Sequence, residues 1–324
     1  MRNRFLLCSA LIVSLAGAGT IPAARAGYKE AVAHYNRGEY EKAIHELQDD
    51  LENNRDWEFG HRLLGLCYLN LKDNALAAKS LARAVELGSE AFSTYLGLAQ
   101  AYFNMEKYRD CVAALDRGKP VADKDGSPET SKAQLYRLRG SANYRLGDYA
   151  EAAADLTQSL RLSKPDWTDY TMLGISYLNM KRTDEAISAL EKSRSMNPNQ
   201  TAIGGLLGKA YLGKGTEALS AKQFAQATDL LRKAGEFDPS NGYIFYNLAE
   251  AYLFDKKYSE AETSLKRAAA LLPQNAGVQL RLGLVYEKMK QWDQALKAYE
   301  KAQGMEPSEQ LKESIARVRN NRDR

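Results

Sequence analysis

Three features of the sequence predict an all-α fold, an α-solenoid of stacked helical hairpins with a C-terminal capping helix. The first is a small-residue slot that recurs through most of the 324 residues, at Ala43, Ala77, Cys111, Ala152, Ala186, Ala227, Ala261 and Ala295, spaced by 34 residues except for two intervals of 41. The second is another small residue upstream of each slot: Ala31, Gly65, Ala99, Gly140, Gly174, Gly208, Ala249 and Gly283. The third is helical periodicity. In the fifth unit Tyr170, Leu173, Gly174, Tyr177 and Leu178 recur at three- and four-residue steps, and Ala186, Ile187 and Leu190 do so again after a polar turn. Two helices approach closely only where neither presents bulk, so Gly174 is expected to face Ala186 across the hairpin.

The chain opens differently. Arg2 and Arg4 precede an apolar run from Phe5 to Gly19, and Ala24-Arg25-Ala26 has the small-x-small form that a signal peptidase reads. Residues 1–26 are expected to be a secretory signal cleaved before Gly27, which makes the mature chain periplasmic or extracellular. An uncleaved anchor helix is the alternative, but the run is shorter than the ~20 apolar residues of a bilayer span. Removing the segment takes away three arginines and no acid, so 45 basic against 41 acidic residues becomes 42 against 41. That balance lacks the clustered Lys/Arg of a nucleic-acid footprint, and no later stretch approaches membrane length.

Within the repeats an aromatic often stands three residues before the slot, at Tyr40, Tyr108, Tyr149, Phe224, Tyr258 and Trp292, and late units close on Pro198, Pro239, Pro273 and Pro307. Gly174-x-x-Tyr177…Ala186…Pro198, Gly147-Asp148-Tyr149-x-x-Ala152 and Gly283-x-x-Tyr286…Trp292-x-x-Ala295…Pro307 resemble the tetratricopeptide repeat family. The resemblance covers about residues 24–309 as eight units and implies a right-handed superhelix. His34, where the family prefers Tyr, marks an atypical first unit.

The wide intervals suggest insertions. The first falls in residues 119–132, where Pro120, Asp123, Asp125, Gly126 and Pro128 predict a loop between repeats 1–3 (27–118) and repeats 4–8 (133–307). The second lies in repeat six, in 213–220 or just before, where Gly208 and Gly215 both fit the small slot. Seven residues are close to two turns, so this insertion lengthens the first helix without rotating its apolar face, and Gly213 and Gly215 are candidate kink points. Residues 308–324 carry one stripe, Leu311, Ile315 and Val318, expected to cap the last apolar face.

Gly208 to Thr216 nearly spells a phosphate loop, but Gly215 displaces the hydroxyl residue and the stretch sits inside a helical repeat. His34, His45 and His61 show no metal-ligand spacing, and no nucleophile elbow or dinucleotide fingerprint occurs. The expectation is a non-enzyme with no catalytic residue, metal or cofactor. Cys67 and Cys111, on helices with others between them, are expected to be buried free thiols.

The resemblance implies that the first helices of successive repeats line a concave groove that holds peptide or protein segments. Carried onto this chain, the inward positions are Arg62, Asn70, Gln100, Asn104, Arg137, Tyr144, Asn179, Lys209, Tyr243, Tyr246, Glu250 and Phe254. Asn36, Asn70, Asn104 and Asn179 occupy one equivalent slot, either as a backbone-binding amide ladder or as residues that close their helices. The Lys/Asn clamp with which some relatives grip acidic chaperone tails is not reproduced. The expected role is an exported protein–protein interaction scaffold or adaptor with a protein or peptide partner, no nucleic acid and no membrane span in the mature chain. The alternatives are an envelope-complex subunit docking through its terminal repeats, and a small-ligand or enzymatic role at 208–223 or near 243–254.

Overall fold

The computed structural model describes residues 26–124 and 126–323. The signal segment expected over 1–26 lies outside them but for its last residue. Among the described residues there is no strand. The helices run α1 (Ala26–Asn36), α2 (Tyr40–Asn53), α3 (Glu58–Asn70), α4 (Asn74–Glu86), α5 (Phe92–Asn104), α6 (Tyr108–Lys124), α7 (Glu129–Leu146), α8 (Tyr149–Leu162), α9 (Trp167–Asn179), α10 (Thr183–Met196), α11 (Thr201–Ser220), α12 (Phe224–Phe237), α13 (Gly242–Phe254), α14 (Tyr258–Leu271), α15 (Ala276–Lys288), α16 (Trp292–Met305) and α17 (Glu309–Arg322). Consecutive helices pair as hairpins from α1/α2 to α15/α16, and α17 packs on α16.

One turn closes every hairpin. Seven residues after the upstream small residue the chain adopts the left-handed conformation, at Gly38, Lys72, Glu106, Gly147, Lys181, Lys222, Lys256 and Lys290, with φ from 58° to 86°. The next N–H reaches back to the helix, as from Asp73 to the Tyr68 carbonyl and from Lys257 to the Tyr252 carbonyl, both at 2.9 Å. This satisfies carbonyls that the helix end would leave orphaned. Asp73, Asp166, Asn241, Asn275 and Ser308 cap helix N-termini through their side chains.

The turn fixes the register of the sixth hairpin. Counting back from Lys222, the upstream small residue is Gly215, where an added methyl would stand 2.6 Å from Leu231 Cγ. The same 16-residue relation holds for Gly174 and Leu190, at 2.6 Å. A methyl at Gly208 would instead stand 2.5 Å from the Cβ of Asp238, near the hairpin's open end. Gly208 is therefore not that residue; the inserted residues form the first turns of α11, which runs unbroken through Gly213 and Gly215. The upstream residue meets a leucine first: a methyl at Gly174 would stand 2.6 Å from Leu190 Cγ and 3.3 Å from the Ala186 carbonyl oxygen.

The loop expected over 119–132 is shorter than that, because most of those residues are helical. α6 continues through Pro120 to Lys124 and α7 starts at Glu129, so the extra residues lengthen both helices. A proline inside a helix forfeits a hydrogen bond. Here packing offsets that loss: Ala122 is 1% exposed, and Gly118 lies so close to Tyr95 that a methyl would come within 2.5 Å of its Cβ.

The division into three and five repeats also changes. The chain forms two compact units of four hairpins, the first ending at Pro165 and the second running from Asp166. Between them Ser163 and Asp166 take extended backbone angles around Lys164-Pro165. In the first unit Leu47, Leu63, Leu66, Leu81 and Leu115 are fully enclosed with Ala43, Ala77 and Ala99, each leucine contributing ~1.5–3 kcal/mol. Cys67 and Cys111 are buried here as free thiols. In the second unit Leu190, Leu207, Leu231 and Leu265 play the same part. α17 buries Leu311 and Val318, with Ile315 partly covered, and closes the end of that core as a cap.

Candidate functional site

The first helices of neighbouring hairpins touch, α1–α3, α3–α5 and α5–α7 in the first unit and α9–α11 and α11–α13 in the second. Second helices lie farther apart. The first helices are thus the inner layer of each unit, and the twelve inward positions divide between the two.

In the first unit the inner face is polar and internally bonded. Arg62 lies over the Phe59 ring at 4.5 Å and 3.4 Å from Glu58, and burial pushes its guanidinium pKa down. Asn70 donates to the Leu66 carbonyl at 2.8 Å, one turn back. Gln100 donates to Asn104 at 2.9 Å, and Asn104 donates to Asn74 of the preceding hairpin at 2.8 Å. Arg137 is half-buried, and its carbonyl accepts from Ser141 at 2.7 Å. Tyr144 packs edge-on against Tyr149, and burial raises its hydroxyl pKa.

In the second unit Asn179 repeats the behaviour of Asn70, donating to the Ile175 carbonyl at 2.9 Å. Two of the amides therefore bond their own helix, and Asn104 clips one hairpin to the next. Lys209 is exposed but sits on the inserted turns of α11; the register equivalent of the intended position is Thr216.

α13 brings four of the positions onto one face. Tyr243 is 54% exposed and Phe254 is 60% exposed, with half-buried Tyr246 and Glu250 between them. Glu250 is bound by Arg281 of α15, which also reaches the Tyr246 hydroxyl. Burial works against the Arg281 charge, yet Glu250 and Tyr246 hold its pKa above the ordinary arginine value. Phe254 stacks flat on Phe224, centroids 4.6 Å apart and planes 9° off parallel. The face offers aromatic surface around one neutralised ion pair. Arg281 escaped the sequence reading because its partner lies 31 residues back, off the repeat period.

The stretch 208–216 lies inside α11, where intrahelical bonds occupy the backbone N–H groups. His34 contacts Glu39 at 2.5 Å, His45 stands 4.0 Å from Asp49, and His61 bonds the Arg55 carbonyl at 2.8 Å. Among the described residues no three His, Cys, Asp or Glu side chains gather as a metal site, and no helix is long and apolar enough to cross a membrane.

Fold and inner face define an all-α repeat protein whose first helices present side chains for contact. Tetratricopeptide repeat profiles match residues 28–92, 133–166, 170–200, 218–270 and 253–318, and the chain belongs to that family. Human superkiller complex protein 3 is 25% identical over 222 residues, 68% of this chain and 14% of that protein. Tetratricopeptide repeat protein 37 of Xenopus laevis is 26% identical over 224 residues, with the same coverage of 68% and 14%. The chain thus spans about one seventh of the length of these relatives. Among solved structures, the TPR2AB domain of yeast Sti1 in its pHSP90 complex is 15% identical, covering 82% of this chain and 96% of that one, with a TM-score of 0.47. YrrB, a TPR protein with an unusual peptide-binding site, is 20% identical over 62% of this chain and 97% of its own, with a TM-score of 0.44.

Proposed function

We propose that the protein is an exported, periplasmic, non-catalytic scaffold or adaptor that holds a segment of a partner protein against the inner helices of its second unit. Family membership supports the interaction class, and the Arg2/Arg4 leader with Ala24-Arg25-Ala26 supports export. The observation that carries the reading is the α13 face. Tyr243 keeps more than half its surface in solvent, and Glu250 is already matched by Arg281. Such a face rewards apolar and aromatic side chains of a ligand, because rigid aromatic anchors dominate binding energy at interfaces. Crosslinking in intact cells followed by pull-down, with the parent and a Tyr243→Ala/Tyr246→Ala variant, tests it. The partner bands should fade in the variant while its helical content stays at the parent level. An unchanged partner set removes the α13 face from the proposal.

A further inference from the structure

All four hairpin turns of the second unit place a lysine in the left-handed conformation: Lys181, Lys222, Lys256 and Lys290, with φ of 58° or 59°. An L side chain there carries a steric penalty that glycine escapes. The first unit uses glycine at two of its turns, Gly38 and Gly147. The four lysines are exposed, and nearby acids are committed to other cations, Glu185 to Arg182 and Asp255 to Lys257. Their ammonium groups are left to solvent.

An aromatic lies on the same edge. Phe254, two residues before Lys256, is 60% exposed, more than any other large apolar side chain among the described residues. Its stack on Phe224, two residues after Lys222, ties the sixth and seventh turns together. Lys222 and Lys256 therefore flank an apolar ring along one rim.

We propose that this turn edge docks on an anionic phospholipid bilayer. The four lysines stand apart from the inner-face reading, which shares only Phe254 with this edge. Lysine is a point charge on a flexible stem and reads charge density rather than the geometry of one phosphate. Arg182, the arginine in these turns, is occupied by Glu185. A row of point charges beside one exposed ring matches a charged headgroup layer, where basic residues gain electrostatically and an apolar ring gains by partial burial. A nucleic acid would favour arginine forks and open stacking platforms, whereas the Phe254 ring is already stacked on Phe224.

The mature chain, beginning at Gly27, is floated with phosphatidylglycerol-containing vesicles, with pure phosphatidylcholine vesicles, and with a single-stranded oligonucleotide as a competing polyanion. Binding is expected only to the first, falling as salt rises. The Lys181→Gly/Lys222→Gly/Lys256→Gly/Lys290→Gly variant should lose about 100-fold or more in binding. Glycine suits these turns, so its melting temperature should match or exceed the parent's, which separates lost binding from lost fold. Lys72→Gly, in the first unit, should bind as the parent does. Phe254→Ser should bind more weakly at every salt concentration. The proposal fails if the parent ignores anionic vesicles at low salt, prefers the oligonucleotide, or if the fourfold variant binds undiminished.

Discussion

Arg139 of α7 grips Asp155 of α8 with two parallel bonds, Nε to Oδ2 at 2.9 Å and Nη2 to Oδ1 at 2.7 Å. Its third nitrogen reaches Asp116 of α6 at 2.5 Å, so one guanidinium joins three helices of the first unit. The two carboxylates differ in setting: the Asp155 side chain is 7% exposed and that of Asp116 55%. A buried pair broken from one side leaves an uncompensated charge, at a cost of ~3–5 kcal/mol, whereas an exposed pair contributes ~0–1 kcal/mol. Asp155→Ala should therefore lower stability by about 3 kcal/mol and Asp116→Ala by less than about 1 kcal/mol, read as urea midpoints. Arg139→Met combined with Asp155→Leu should recover most of the loss. Equal midpoints for the two single variants would rule out the enclosed fork as the stronger bond.

The sixth hairpin separates two neighbouring glycines. A methyl at Gly215 would stand 2.6 Å from Leu231 Cγ, while one at Gly213 meets nothing within 4 Å. Gly215→Ala should cost ~1–3 kcal/mol by overpacking. Gly213→Ala should instead stabilise by ~0.5–1 kcal/mol, because it removes backbone freedom from the unfolded chain and raises helix propensity. Thermal melts of the two variants should bracket the parent. Ala186→Leu and Ala261→Leu, both at fully enclosed slots, should fall on the destabilised side.

The period of the small slots was legible because close helix approach imposes a local rule: where Leu190 presses on Gly174, nothing larger fits. Repeat six was ambiguous for a related reason. Seven residues nearly complete two turns, so Gly208 and Gly215 project from similar sides of α11, and only the turn at Lys222 tells them apart. Residues 119–132 carry real loop chemistry, yet Ala122 and Gly118 are packed by neighbours that no local pattern announces. The boundary at Pro165 resembles the prolines that merely end a repeat, such as Pro198. On the inner face Tyr243 and Phe254 were found by register, while the Arg281–Glu250 pair depends on side-chain reach between hairpins and leaves no periodic trace.

The hairpin turns make opposite predictions for one backbone shape. Gly147 holds φ 86° and Lys72 φ 65°, both in the left-handed region. Gly147→Ala puts a Cβ where L residues are strained and should cost ~1–2 kcal/mol. Lys72→Gly relieves that strain, and against the greater entropy of the unfolded chain should gain ~0.5–1 kcal/mol. Differential scanning calorimetry of both variants checks the pair; a stabilised Gly147→Ala would contradict the shared turn.

Cys67 and Cys111 make the last prediction, since both are buried and free and burial pushes each thiol from 9.0 up to about 12. The thiolate is the attacking form, so at pH 8 folded protein should react with iodoacetamide at about a thousandth of the rate of the urea-unfolded chain. The same shift couples to stability. Between pH 9 and 12 the unfolded thiols lose protons that the folded ones keep, so the unfolded state binds fewer protons and stability falls as pH rises through that window. Below pH 9 both states hold the proton and the thiols contribute no slope. Replacing both cysteines with alanine should flatten the alkaline limb of the stability curve, at the price of a smaller core. Rapid alkylation of native protein at pH 8, or an alkaline limb unchanged by the double replacement, would contradict the enclosed setting of these two sulfurs.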